Sequence, residues 1–197
     1  THRLHAGWAH FAGCQIMMTR SIRPLLVALL LLAGCRTETT PPADDPGKQM
    51  LQRIFNASRD PDTGGRIAFV EDYGEQLAQY LVHGVDLWLN TPIPPMEASG
   101  TSGMKAATNG GLNLSILDGW WREVCNNRVN GWAIGDDEDA SDKDTAADFY
   151  ADLEDAVTTY YANRPQWIKM MKASISDCAP RFNTQRMVSE YLEKYYK

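Results

Sequence analysis

The chain is short of positive charge. Its 19 lysines and arginines stand against 25 aspartates and glutamates, a net charge of -6. Nucleic acids and anionic membranes both select a basic footprint, so this balance argues against either as a partner. A small anionic ligand stays open, because local backbone dipoles bind anions whatever the global charge. Cysteine is sparse as well. Cys14, Cys35, Cys125 and Cys178 lie far apart, without the close spacing of a zinc site or the density of a disulfide framework, which fits free thiols in a reducing compartment. Histidine is rare, and His2, His5 and His10 fall in a segment without apolar periodicity, where they read as solvated rather than as ligands. No internal repeat is present, and no apolar run is long enough to cross a ~30 Å hydrocarbon layer as a helix. The first residue is Thr1 and not Met, which reads as a fragment or as translation upstream of a true start.

What is present suits one globular domain: 197 residues, 44% of them apolar. Residues 1–42 differ in composition from residues 43–197. Met18-Thr-Arg-Ser-Ile-Arg-Pro24 is a basic lead, residues 25–32 are a run of Leu, Val and Ala, and Leu32-Ala33-Gly34-Cys35 precedes a polar stretch rich in Thr and Pro. That order has the form of a lipoprotein signal with Cys35 as the lipidated residue. The same run also suits a buried parallel strand, which is likewise continuously apolar.

From Asp45 onward the pattern alternates. Met50, Leu51, Ile54 and Phe55 give helical spacing over 47–58, followed by a turn rich in Asp, Pro and Gly over 59–65. Short apolar strands are expected at 67–70, 85–89, 112–117 and 132–134, and helices at 75–82 and 102–107. The second of these helices is stopped by Asn109-Gly110-Gly111. The acidic run 136–144 lacks the glycine and closing glutamate of a calcium loop and reads as a solvated loop entering a helix. Three helices close the chain. Phe149, Leu153, Ala156 and Tyr160 mark the core face of the first, Trp167, Met170 and Met171 that of the second, and Val188, Tyr191, Leu192 and Tyr195 that of the third. Strands alternating with helices predict an α/β fold, a Rossmann-like parallel sheet flanked by helices with a helical C-terminus.

Residues 97–105, Glu-Ala-Ser-Gly-Thr-Ser-Gly-Met-Lys, are where chemistry concentrates. They follow a strand and a proline-rich loop and enter a helix. Gly100 and Gly103 permit close approach of the backbone to a ligand. Amides near Thr101 and Ser102 stand at the positive end of the helix, a ready phosphate site. Lys105 lies about one turn further in, placed for a cofactor aldehyde whose phosphate rests at the helix end.

These nine residues, with Asn109 behind them, resemble the pyridoxal-phosphate signature of the α-glucan (glycogen and maltodextrin) phosphorylases. Ala43-Asp-Asp-Pro-Gly-Lys48, Val70-Glu-Asp-Tyr73, Val85-Asp-Leu-Trp-Leu-Asn90, Leu117-Asp-Gly-Trp-Trp121, Asn130-Gly-Trp-Ala-Ile-Gly135 and the stretch from Pro180-Arg-Phe-Asn183 to Tyr195 resemble further blocks of its bacterial, shorter branch. The likeness covers about four-fifths of the chain in one collinear order and is similar to the C-terminal portion of that family. It implies the second half of a glycosyltransferase-B fold. It also implies a retaining reaction in which inorganic phosphate cleaves the terminal α-1,4 bond of a glucan and releases glucose 1-phosphate, with pyridoxal 5'-phosphate as cofactor. Lys105 would be the Schiff-base residue. Thr101, Ser102 and Gly103 would hold phosphate, with Tyr73 near the cofactor phosphate, and Glu97, Ser99 and Gly100 would hold hydroxyls of the glucosyl unit. No metal is implied. A homodimer and a cytoplasmic location are what the full-length family implies, with a membrane lipoprotein anchored through Cys35 as the alternative.

Three departures stand against the family pattern. Thr108 occupies the place of a Leu or Met before Asn109, which implies looser packing behind the cofactor. Gly74 follows Tyr73 where many members carry an arginine. The N-terminal catalytic half, with the basic residues that bind substrate phosphate, is absent from residues 1–197. Two other functions fit the same architecture. One is a nucleotide-sugar glycosyltransferase, in which a glutamate contacts the donor sugar and Lys105 faces a diphosphate. The other is a non-catalytic, glucan-binding remnant.

Overall fold

The computed structural model describes residues 15–19, 28–32, 45–63, 66–70, 74–135 and 142–196. In chain order its elements are strands β1 (Gln15–Thr19) and β2 (Ala28–Leu32), helix α1 (Asp45–Arg59), strand β3 (Ile67–Val70), helix α2 (Glu75–Gly84), strand β4 (Val85–Asn90) and helix α3 (Thr101–Thr108). Strand β5 (Leu112–Ile116), helix α4 (Gly119–Val124) and strand β6 (Gly131–Ile134) follow, and helices α5 (Asp142–Ala162), α6 (Arg164–Cys178) and α7 (Thr184–Tyr195) close the chain.

The strands form one six-stranded sheet in the order β3-β2-β1-β4-β5-β6. Strands β4, β5 and β6 run parallel, pairing Leu89 with Leu114 and Leu114 with Trp132, and β2 runs parallel to β3. Strand β1 lies antiparallel to both β2 and β4, so the sheet is mixed where the periodicity predicted a parallel one. Connection length gives the reason. Parallel neighbours need a crossover of roughly a dozen residues or more. Helices α1, α3 and α4 supply such crossovers, whereas residues 20–27 between β1 and β2 are too few. Residues 15–19 carried no strand signal in the sequence. The apolar run 25–32 forms β2 over its last five residues. Cys14 and Cys35 lie outside the described residues, as does Tyr73.

Both faces of the parallel strands are covered. Leu87, Leu89, Leu112, Leu114, Trp132 and Ile134 point to one side and meet Ala156 of α5 and Trp167 and Met170 of α6. Phe149, Leu153, Tyr160 and Met171 pack around them, as the helical spacing predicted. Trp167 stands edge-on to Tyr160 at 4.9 Å, and the Trp132 indole N–H donates to Asp155 of α5 at 2.9 Å. On the other side Trp88 of β4 packs with Val82, Val85 and Ala106 beneath α2 and α3. Strand β5 turns polar toward that side, with Asn113 and Ser115 both buried.

Helix α7 departs from expectation. It buries no residue, and Val188, Tyr191, Leu192 and Tyr195 are 47%, 50%, 57% and 75% exposed rather than part of a core. The helix is held locally. Asn183 caps it by accepting the Arg186 amide at 2.9 Å, and Glu190 pairs with Arg186 and Lys194 one turn to either side. No described element lies across its apolar stripe. Among the described residues, no helix is long and apolar enough to cross a membrane.

Candidate active site

The site is built where β4 ends, the loop 91–100 crosses, and α3 begins. Gly100 turns the chain into α3 with φ 88°, a left-handed conformation open to glycine. It places no side chain over the helix end, so the first amides of α3 are not capped from the preceding residue. Within α3, Gly103, Ala106 and Ala107 are buried, Ala106 over β4 and Ala107 among Trp120, Trp121 and Cys178, while Thr101, Lys105 and Thr108 are exposed. Thr101 and Lys105 are four residues apart and so lie one above the other on the same side of the helix. The Lys105 amine forms no hydrogen bond or ion pair with the described residues.

The far end of α3 is closed as its Asn-Gly-Gly sequence predicts. Asn109 Nδ2 donates to the Lys105 carbonyl at 2.8 Å, and Gly110 takes φ 86°. Gly111 N donates to the Ala106 carbonyl at 2.9 Å. Thr108 is exposed, and its hydroxyl donates to the Lys105 carbonyl at 3.0 Å. It therefore braces the turn that carries Lys105 instead of loosening packing, because the position faces away from the sheet.

Below and beside the loop, close packing fixes its path. Asn113 Nδ2 of β5 donates to the Gly103 carbonyl at 3.3 Å, and a Cβ at Gly103 would fall 2.7 Å from Asn113 Oδ1. The Trp120 indole would meet a Cβ at Gly100 at 2.8 Å, and one at Gly103 at 2.9 Å. Phe182 stands edge-on to that indole at 5.4 Å. Two further contacts join the loop to α4, and a third closes the head of that helix. The Glu97 amide donates to Asp118 Oδ2 at 2.9 Å, the Trp120 amide donates to the Ser99 carbonyl at 2.9 Å, and Asp118 Oδ1 accepts the Gly119 amide at 2.8 Å. Gly119, at φ 49°, lies so close to the Ser99 carbonyl that a Cβ there would be 2.6 Å from the oxygen.

The structure therefore brings Glu97, Ser99, Gly100, Thr101, Ser102, Gly103 and Lys105 into one loop and helix end. Tyr73 lies outside the described residues. Glu97, Ser99 and Gly100 are half-buried, and Thr101 and Lys105 are exposed. Asp118 and Trp120 are the residues that sequence reasoning left without a role. The signal was present in the Leu-Asp-Gly-Trp-Trp block, where an aspartate followed by glycine opens a six-residue helix. Its partner, 21 positions earlier, was not visible. Arg122 of α4 turns its guanidinium toward the Leu117 carbonyl, at 3.3 Å and 3.4 Å from Nη2 and Nε. Burial pushes the Cys178 thiol up to about 11, and burial raises the Asp152 carboxyl against the pull of Arg128.

With this geometry in view, comparison with known proteins points to a family. Residues 49–131, which include the whole loop and α3, match the family profile described as carbohydrate phosphorylase. The chain is 53% identical to a glycogen phosphorylase of Aquifex aeolicus over 79% of its own length and 23% of that protein's. It is 49% identical to a maltodextrin phosphorylase of Thermococcus litoralis over 79% of its length and 19% of that protein's. The chain thus spans about a fifth to a quarter of these relatives. Among solved structures it shares its fold with part of a glycosyltransferase from Rickettsia africae (TM-score 0.60, 16% identity, 84% of this chain and 38% of that one). It likewise shares its fold with part of Anabaena HepE (TM-score 0.56, 14% identity, 75% and 37%). The architecture is therefore that of part of a glycosyltransferase-B fold, with β4, β5 and β6 as its parallel core. Over residues 49–131 the chain matches the carbohydrate phosphorylase family, and over 79% of its length it is similar to a portion of longer glycogen and maltodextrin phosphorylases.

Proposed function

We propose that this chain carries the cofactor and glucosyl sites of an α-1,4-glucan phosphorylase, which converts a glucan and inorganic phosphate to glucose 1-phosphate with pyridoxal 5'-phosphate held on Lys105. One observation carries the proposal: a signature loop that lies within the family match ends on an α3 N-terminus that Gly100 leaves uncapped, with Lys105 exposed one turn further on the side of Thr101. The residues fit the cofactor. Amides of Thr101, Ser102 and Gly103 aim the positive end of α3 at a phosphate, and Lys105 supplies an amine within the next turn. Gly103 serves packing as well, since only a missing Cβ lets α3 settle on Asn113. When bound, the cofactor supplies a phosphate group that exchanges a proton with the substrate phosphate. Glu97, Ser99 and Gly100 hold hydroxyls of the terminal glucosyl unit.

This chain's own residues do not complete the reaction. Two phosphates a few ångströms apart repel strongly once water is excluded, so cationic side chains are needed besides helix-end amides. Lys105 is taken up by the cofactor, and Arg122 is turned to the Leu117 carbonyl. The partner that supplies the remaining cations is the N-terminal catalytic half carried by the longer relatives. The family's cytoplasmic compartment is the one proposed. Fatty-acid labelling of Cys35 in a bacterial host would overturn that placement.

The test is direct. Borohydride reduction with pyridoxal 5'-phosphate should fix the cofactor to Lys105, and label on another lysine, or none, would sink the proposal. Failure to acquire the cofactor's absorbance would instead favour a nucleotide-sugar transferase of the same fold. Glucose 1-phosphate release from maltodextrin should be absent for the 197-residue chain and appear when the upstream half is added as a separate chain. In that reconstituted enzyme, Glu97→Ala should lower kcat/KM by roughly 1.5–3 kcal/mol in transition-state terms, the loss of a charge-assisted hydrogen bond.

A further inference from the structure

We propose that Asp118 is a positioning residue for the glucosyl-binding loop. This rests on the glucan reading above and extends it to a residue that touches neither sugar nor cofactor. Its side chain is 7% exposed and serves two backbone amides with its two oxygens, Gly119 N at the start of α4 and Glu97 N in the loop. The first of these bonds stays within the head of α4. The second ties α4 to the residue whose side chain is assigned to the sugar. The same short stretch holds the loop twice more. The Trp120 amide binds the Ser99 carbonyl, and the Trp120 ring fills the space that side chains at Gly100 and Gly103 would need. Glu97, Ser99 and Gly100 are thus all referenced to α4, whose own place is set by Trp121, 0% exposed, with its indole N–H on the Trp132 carbonyl of β6 at 3.1 Å. Aspartate is suited to this because it presents two acceptors at short reach. Asparagine presents one acceptor oxygen, and serine can serve the α4 end alone.

Two variants each take away the second acceptor of Asp118: Asp118→Asn and Asp118→Ser. In the 197-residue chain, amide exchange at Glu97 should accelerate about tenfold or more in both, the equivalent of one hydrogen bond. Exchange at Leu114 and Trp132 should stay within about twofold of the parent. In a fusion of this chain behind the upstream region of the Aquifex aeolicus relative, both variants should lower kcat/KM for maltodextrin about tenfold. Reductive fixation of pyridoxal on Lys105 should be unchanged. Unaltered exchange at Glu97 overturns the proposal. So does faster exchange throughout β5 and β6, which would make Asp118 a general fold residue, and so does normal turnover despite a released Glu97 amide. A parent fusion that binds cofactor but does not act on maltodextrin would instead bring down the glucan reading, while exchange at Glu97 would still decide the latch.

Discussion

Helices α3 and α4 on one side, and α7 on the other, each carry apolar residues and meet opposite fates. In α3 and α4 the apolar and small residues are packed until glycine is the only residue that fits: Gly103 under α3 and Gly119 at the head of α4 both touch neighbouring atoms. In α7 the stripe of Met187, Val188, Tyr191, Leu192 and Tyr195 faces outward, each at least 45% exposed. A hydrophobic stripe specifies which side of a helix will be buried when a surface is offered to it; it does not supply that surface. The site end of this chain brings its own cover from β5, β6 and α6. Helix α7 buries no residue and is held by its Asn183 cap and its ion pairs.

Substitutions can break or sharpen this contrast. The largest expected effect is at Trp132, which is fully buried against Trp167 and bonded to Asp155. Trp132→Ala should cost about 3–5 kcal/mol of unfolding free energy in a urea titration, and a loss under 1.5 kcal/mol would show the core to be slack. Next is Gly103→Ala, whose new methyl meets Asn113 and Trp120 at under 3 Å. About 1–3 kcal/mol should be lost, with weaker cofactor fixation at Lys105 as α3 lifts from β5. Tyr191→Ser with Leu192→Ser should change unfolding free energy by less than about 0.5 kcal/mol each. The same pair should reduce self-association in sedimentation, and a loss as large as that for Trp132 would mean that α7 is covered after all.

The smallest effect concerns pH. Burial raises the Asp152 carboxyl, so the folded state holds a proton there to higher pH than the unfolded chain does. The native state then binds more protons than the unfolded one. Asp152 therefore makes its most favourable contribution at low pH, and that contribution declines as pH rises from the unfolded value to the raised folded one. Asp152→Asn removes that slope along with the 3.4 Å contact to Arg128. The difference in urea midpoint between parent and variant should narrow in the parent's disfavour as pH climbs through that window, then hold constant. A flat difference from pH 3 to 7 would show that burial does not dominate at this carboxyl.

Most of the architecture was legible in the sequence because its signals are local. Period-two and continuous apolar runs marked β3 to β6, and helical spacing marked α1, α2, α3, α5, α6 and α7. Strand β1 was not legible. Gln-Ile-Met-Met-Thr has no alternation to set it apart from its surroundings, and its place between β2 and β4 depends on partners distant in the chain. Helix α4 is six residues long, too short for a period to show. At the candidate site, the loop residues and Lys105 could be listed from one contiguous stretch. What holds that stretch in shape could not, since Asp118 and Trp120 reach it only through the fold.

Trp120 has an optical consequence. Its ring centroid is 5.1 Å from that of Trp121 with the planes tilted by 52°, close and skewed enough for the two indole transitions to couple and give a paired band in circular dichroism. One member of the pair rests on Gly100 and Gly103, while the other is fastened to β6. A ligand that shifts the loop by even a fraction of an ångström changes the angle between the two transition dipoles, so the site carries its own chiroptical gauge, readable without any added label.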